Sequence, residues 1–136
     1  MALAAKIHEI PATIIMPEDA PEIKINNTRD LGAEVILYDR QKERREEIGQ
    51  KISEKNLLSL IPPYDHIHVI AGQGTIGLEI ADQANQNGIE KADVLVCCGG
   101  GGLTSGIAVA LSSLMPNFIT RPVEPEGFDD VVRSLK

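Results

Sequence analysis

The chain predicts an α/β fold with three layers, a mostly parallel sheet carrying helices on both faces. Short apolar runs alternate with longer amphipathic or charged runs along all 136 residues, the rhythm of strand–helix units joined by right-handed crossovers. Asp93 to Cys98 is almost wholly apolar, as a parallel strand buried on both faces should be. Proline and glycine punctuate the runs at Pro17, Gly32, Pro62-Pro63, Gly88 and Pro116, where they end regular structure.

Met1 to Ile7 has helical composition, and Ala12 to Met16 is a short strand entered through Pro11 and closed by Pro17. A helix opens at Pro21, after Asp19, and runs to Leu31, with Gly32 as its cap. Glu34 to Tyr38 is the next strand. Arg40 to Asn56 reads as a long charged helix, its acid–base neighbours at turn spacing adding a few tenths of a kcal/mol per pair. A short strand, Leu57 to Ile61, ends at Pro62-Pro63, and this rigid dipeptide divides residues 1–61 from 62–136. Beyond it come Tyr64 to Ile70, a glycine-punctuated helix from Gly72 to Asn87, the Asp93–Cys98 strand and a helix from Leu103 to Leu114. Phe118 to Val123 is a strand distorted at Pro122, and Asp129 to Leu135 is a last helical segment.

Charge narrows the function. With 20 acidic against 13 basic residues the net charge is -7, which argues against nucleic acid or an anionic membrane as partner. No apolar run reaches the roughly 18 residues of a spanning helix, and no ordered signal peptide is present, so a cytoplasmic protein is expected. Cys97 and Cys98 are the only cysteines and are adjacent, which excludes a disulfide framework and a structural zinc site.

The sharpest motif is the strand Val94 to Cys98 running into Gly99, Gly100, Gly101 and Gly102, then Leu103-Thr104-Ser105 at a helix start. Four glycines at a strand end let the backbone curl around a small anion and aim N–H groups at it, with the helix terminus adding partial positive charge. No lysine followed by serine or threonine closes the loop, so it is not a Walker A loop. Gly72-Gln73-Gly74-Thr75-Ile76-Gly77 matches the dinucleotide fingerprint literally. The stretch before it is a poor central strand, however, and close helix packing is the favoured reading. Glu124-Pro125-Glu126-Gly127-Phe128-Asp129-Asp130 reads as a solvated acidic loop, with a hard-cation site as the rival. His8, His66 and His68 have no metal-ligand spacing.

Together these motifs resemble the fold-type II pyridoxal-phosphate enzymes, closest to the threonine/serine dehydratase and serine racemase group. The resemblance rests on Ile10 to Pro17, Thr28 to Ala33, Ile61-Pro62-Pro63-Tyr64-Asp65, Val69 to Thr75, the glycine run and Val123-Glu124-Pro125. It implies pyridoxal 5'-phosphate as cofactor, gripped through its phosphate by Gly99, Gly100, Gly101, Gly102 and the Leu103 backbone. It also implies a site for Mg2+ or another divalent cation at Glu124, the Phe128 carbonyl and Asp130. The activity implied is β-elimination from a hydroxy amino acid to a 2-oxo acid and ammonia, with a serine racemase-like isomerase as alternative.

By the same resemblance the chain matches the middle portion of such an enzyme. Residues 1–61 are the remainder of the small domain and 62–136 part of the large, cofactor-phosphate-binding domain. The family's Schiff-base lysine and its substrate-carboxylate loop would lie before Met1. The expectation is therefore a chain with no catalytic residue of its own, inactive alone, and prone to associate with a second copy. A non-catalytic phosphate- or partner-binding module and a nicotinamide oxidoreductase are the competing readings.

Overall fold

The computed structural model describes residues 1–135, which fall into two compact units, Met1–Leu60 and the residues from Ile61 onward. The first unit contains α1 (Ala2–Ile7), β1 (Thr13–Pro17), α2 (Glu22–Asp30), β2 (Glu34–Tyr38) and α3 (Arg45–Asn56). Strands β1 and β2 pair in parallel, Thr13 opposite Glu34 and Pro17 opposite Tyr38. The Thr13 hydroxyl donates to the Glu34 carboxylate across the pair at 2.9 Å. Gly49 is buried on α3, and a Cβ there would stand 3.1 Å from Leu60 Cδ1 and 3.4 Å from Ile15 Cδ1. The missing side chain lets α3 close onto β1.

Two expectations for this unit are corrected. The charged helix begins at Arg45 instead of Arg40, because Asp39 closes a turn of its own. Its carboxylate accepts the Gln41 N–H at 2.8 Å, and its carbonyl accepts the N–H groups of Lys42 and Glu43. The Glu43 carboxylate in turn accepts the Asp39 N–H at 2.8 Å. Side-chain acceptors thus win the donors that a helix would need. The Lys42 ammonium beside Asp39, with the Gln41 N–H, holds that carboxyl below its ordinary range. Leu57 to Ile61 is likewise no strand. Leu57 takes a left-handed φ of 53° to end α3, and the Ser53 hydroxyl and carbonyl bind the Leu58 carbonyl and N–H at 2.6 and 3.0 Å.

The second unit contains α4 (Ile67–Gln86), β3 (Ala92–Cys97), α5 (Gly102–Leu114), β4 (Phe118–Val123) and α6 (Asp130–Ser134). β3 and β4 are parallel, Ala92 opposite Phe118 and Cys97 opposite Val123, and α5 is the crossover between them. Among the described residues, all four strands therefore pair in parallel, within a mixed α/β fold, in two sheets of two strands each. Pro122 leaves β4 intact. Its neighbour Val123 turns its carbonyl to β3, accepting the Cys98 N–H at 2.9 Å. Pro122 therefore presents its backbone to the other edge, where a missing N–H breaks no ladder bond.

The core of this unit joins Ala81 and Ala84 of α4, Val96 of β3, Ile107 and Leu111 of α5, Met115 and Phe118. Burial along β3 alternates: Val96 and Cys98 face inward, while Leu95 on the other face is 70% exposed. Among the described residues β3 is thus covered on one face only. Cys97 is exposed and Cys98 buried, as opposite faces of a strand require.

Helix α4 starts at Ile67, ahead of the expected Gly72, with the His66 ring nitrogen accepting the His68 N–H at 3.3 Å as a cap. Its glycines are packing positions. A Cβ on Gly74 would lie 3.1 Å from the Gly106 carbonyl oxygen, and one on Gly77 would lie 2.7 Å from Ala110 Cβ. From the facing helix, a Cβ on Gly106 would lie 2.5 Å from the Ile70 carbonyl oxygen. Small residues on both helices let α4 and α5 touch backbone to backbone. Among the described residues, no helix is long and apolar enough to cross a membrane.

Candidate functional site

The glycine run lies at the carboxyl end of β3, between Cys98 and the first turn of α5. Gly101 is the helix cap, with φ 80° and ψ -12°, a left-handed geometry that glycine adopts without strain. The Ser105 N–H is the first to close a helical bond, to the Gly101 carbonyl at 2.8 Å. Among the described residues, the N–H groups from Gly99 to Thr104 have no protein acceptor. Helix starts leave such donors free, and here the glycine loop extends the free run backward. The first turn of α5 carries no acidic side chain, so nothing opposes an anion there. At the third residue of the helix, the Thr104 hydroxyl is shielded from solvent and has no hydrogen-bond partner among the described residues. A polar group left so costs about 1–3 kcal/mol, which marks a place where an outside partner is wanted.

The four glycines do not share one duty. A Cβ on Gly100 would overlap the Tyr64 ring at Cγ and Cδ1, and one on Gly102 would stand 3.3 Å from Tyr64 Cβ. Positions 99 and 101 open onto free space, with nothing within 4 Å of an added Cβ. Gly101 is therefore favoured by its dihedral and Gly100 required by the neighbouring ring, while Gly102 sits close against the Tyr64 Cβ and backbone. Tyr64 is a site residue that sequence reasoning missed. Its only signal was its place in the Pro62-Pro63-Tyr64-Asp65 stretch.

The Gly72–Gly77 match does not form a second anion loop. Gly72 to Gly77 lie inside α4, where helical hydrogen bonding takes their N–H groups, and the glycines serve the α4–α5 contact instead.

Past β4, Glu124 is placed as a helix cap. Its two carboxylate oxygens accept the N–H groups of Val131 and Val132 at 2.9 and 3.0 Å, over the start of α6. Gly127 turns the intervening loop at φ 80°, and the Phe128 N–H donates to the Pro125 carbonyl at 3.0 Å. Asp129 pairs with Arg133 at 2.5 Å, and Asp130 opens α6. Among the described residues no three His, Cys, Asp or Glu side chains gather as a metal-binding group. The groups expected as cation ligands, Glu124, the Phe128 carbonyl and Asp130, carry oxygen donors only, and each Glu124 oxygen keeps a second lone pair beside its cap bond.

The family model described as pyridoxal-phosphate dependent enzyme matches residues 1–136. Serine racemase of Schizosaccharomyces pombe is 48% identical over 137 residues, covering 100% of this chain and 41% of its own length. L-threo-3-hydroxyaspartate ammonia-lyase of Saccharomyces cerevisiae is 46% identical, covering 100% of this chain and 40% of its own. The processed form of threonine deaminase isoform 2 from Solanum lycopersicum superposes with a TM-score of 0.84 at 39% identity, over 98% of this chain and 38% of that one. The chain thus spans about two fifths of the length of the curated relatives it matches.

Proposed function

The chain belongs to the pyridoxal-phosphate dependent enzymes, and from that premise we propose that it grips the cofactor phosphate in an enzyme acting on hydroxy amino acids. The observation that carries the reading is the run of free N–H groups from Gly99 to Thr104 at the head of α5. Gly99, Gly100, Gly101, Gly102 and the Leu103 backbone hold the phosphate, and the helix terminus adds partial positive charge. Holding one end of the cofactor fixes the plane of its ring relative to the substrate. When bound, the cofactor withdraws electrons from the substrate Cα.

The reaction proposed for the whole protein is a dehydratase (ammonia-lyase) reaction. The Cα proton and the β-hydroxyl leave, and water returns at the α-carbon, so that threonine ends as 2-oxobutanoate and ammonia. Serine racemisation is the second reading, favoured by the 48% identity to a serine racemase. Residues 1–61 then belong to the small domain and 62–136 to the large one.

The described part of the second unit contains one lysine, Lys91. It precedes β3, so the strand's full length, roughly 20 Å at 3.3 Å per residue, separates it from the glycine loop. By the resemblance, none of Lys6, Lys24, Lys42, Lys51, Lys55 or Lys136 stands in the family's Schiff-base context either, so these 136 residues are read as gripping the cofactor without supplying its lysine. Incubated with pyridoxal 5'-phosphate and reduced with borohydride, the chain should show no stoichiometric, site-specific mass addition, and threonine should give no 2-oxobutanoate. Labelling at one lysine together with turnover would overturn this.

A divalent cation at Glu124, the Phe128 carbonyl and Asp130 belongs to the same proposal. It would share Glu124 with the α6 cap. Glu124→Ala is expected to lower stability by about 1–2 kcal/mol through the lost cap bonds, read from urea unfolding. Ca2+ should raise the melting temperature of the parent and leave that of the variant unmoved. The exposed outer face of β3 and β4, with Leu95 at 70% and Ile119 at 47% exposure, supports association with a second copy.

A further inference from the structure

We propose that Tyr64 is the positioning residue of the glycine loop: its ring braces Gly100, its Cα and Cβ back Gly102, and together they keep the N–H groups beyond Gly99 turned toward a phosphate ester. This rests on the reading of the loop given above and assigns the part that makes it work.

A run of four glycines loses more conformational freedom on ordering than any other four residues. Left to itself such a loop would meet that cost when the anion arrives. The ring removes part of it beforehand. Tyr64 occupies the space that a side chain at position 100 would take, and its Cβ lies over position 102. Gly102 is also approached by Val69 in the first turn of α4, whose Cγ1 would stand 3.9 Å from a Cβ at 102. The support is therefore continuous from α4 through Tyr64 to the loop. Asp65, the next residue, holds a left-handed φ of 51°, and His66 caps α4 directly after it. That tight turn between the double proline and α4 aims the ring back at the loop. Tyr64 remains 45% exposed, so one side of it packs on the loop while the rest stays accessible. The contacting atoms are ring and Cβ carbons, which predicts that the hydroxyl is dispensable.

The chain offers a direct readout, because it has two tyrosines and no tryptophan. In a Tyr38→Phe background, tyrosine fluorescence reports Tyr64 alone. Binding is measured by calorimetry with pyridoxamine 5'-phosphate and with inorganic phosphate, on the parent, Tyr64→Phe, Tyr64→Ala and Gly100→Ala. Tyr64→Phe should bind within about twofold of the parent, while Tyr64→Ala and Gly100→Ala should bind about tenfold more weakly, the scale of a lost preorganising contact. Either probe should reduce acrylamide quenching of Tyr64 in the parent, and Gly100→Ala should quench more readily before any ligand is added. Gly100→Ala retains the ring and displaces it, so the test survives a Tyr64→Ala variant that does not fold. Parental affinity in both Tyr64→Ala and Gly100→Ala would overturn the proposal and leave the phosphate reading intact. So would a Tyr64→Phe variant as weak as Tyr64→Ala. A parent that binds neither probe would remove both.

Discussion

Gly106→Val is expected to destabilise the second unit by about 3 kcal/mol or more, at the upper end of overpacking effects. The added Cβ would lie 2.5 Å from the Ile70 carbonyl oxygen and 2.6 Å from the Gly74 nitrogen. Both are backbone atoms of α4, so no rotamer change relieves the clash and the two helices have to separate. Separation uncovers Ile107 and Leu111, which are 3% and 0% exposed, and each such side chain is worth about 1.5–3 kcal/mol of burial. Against a total stability of about 5–15 kcal/mol, one substitution removes a large share. Gly72→Ala in α4 is the control of opposite sign. Nothing lies within 4 Å of a Cβ at that position, and replacing an interior helical glycine gains about 0.5–1 kcal/mol. Urea unfolding followed by circular dichroism reads both. A Gly106→Val midpoint equal to the parent's would refute the backbone contact.

The second large effect is on ligand affinity. Gly101→Val is expected to weaken binding of a phosphate ester at least about tenfold, since a left-handed dihedral costs an L-residue roughly 1–2 kcal/mol. Space is not the obstacle, because position 101 has no neighbour within 4 Å of an added Cβ. The obstacle is φ 80°, so the loop must re-route and its N–H groups lose their convergence. Gly101→Asn separates the two explanations, because asparagine visits left-handed φ far more readily than a β-branched residue. It should keep affinity near the parent's. Equal loss in both variants would mean that the dihedral is not what the loop needs.

Much of the fold was legible because local chemistry and tertiary structure agree. Glu34–Tyr38 and Phe118–Val123 are bounded by turns and are strands over those residues. The misses share a cause, which is side chains or distant segments overriding a local pattern. Asp39 captures donors that would have started a helix at Arg40. Leu57 to Ile61 has strand composition but, among the described residues, pairs with no strand. The glycines of α4 read as a helix start with close packing; the packing holds, while the start falls earlier, at Ile67, and the partners Gly106 and Ala110 lie on a helix that the local pattern does not name. At the site, the anion loop was legible from four consecutive glycines after an apolar strand. The division of labour among them was not, because Tyr64 reaches Gly100 across a long sequence separation. Glu124 read as a candidate ligand, and its cap bonds to Val131 and Val132 exist only once α6 has formed.

The most direct test compares pyridoxamine 5'-phosphate with pyridoxamine, titrated calorimetrically into the 136-residue chain. The two differ only in the phosphate, and neither carries an aldehyde that could react with surface lysines. A phosphate grip at Gly99 to Gly102 predicts saturable one-site binding of the ester, displaced by inorganic phosphate, and no binding of pyridoxamine. Equal binding of the two compounds, or binding of neither, would contradict it.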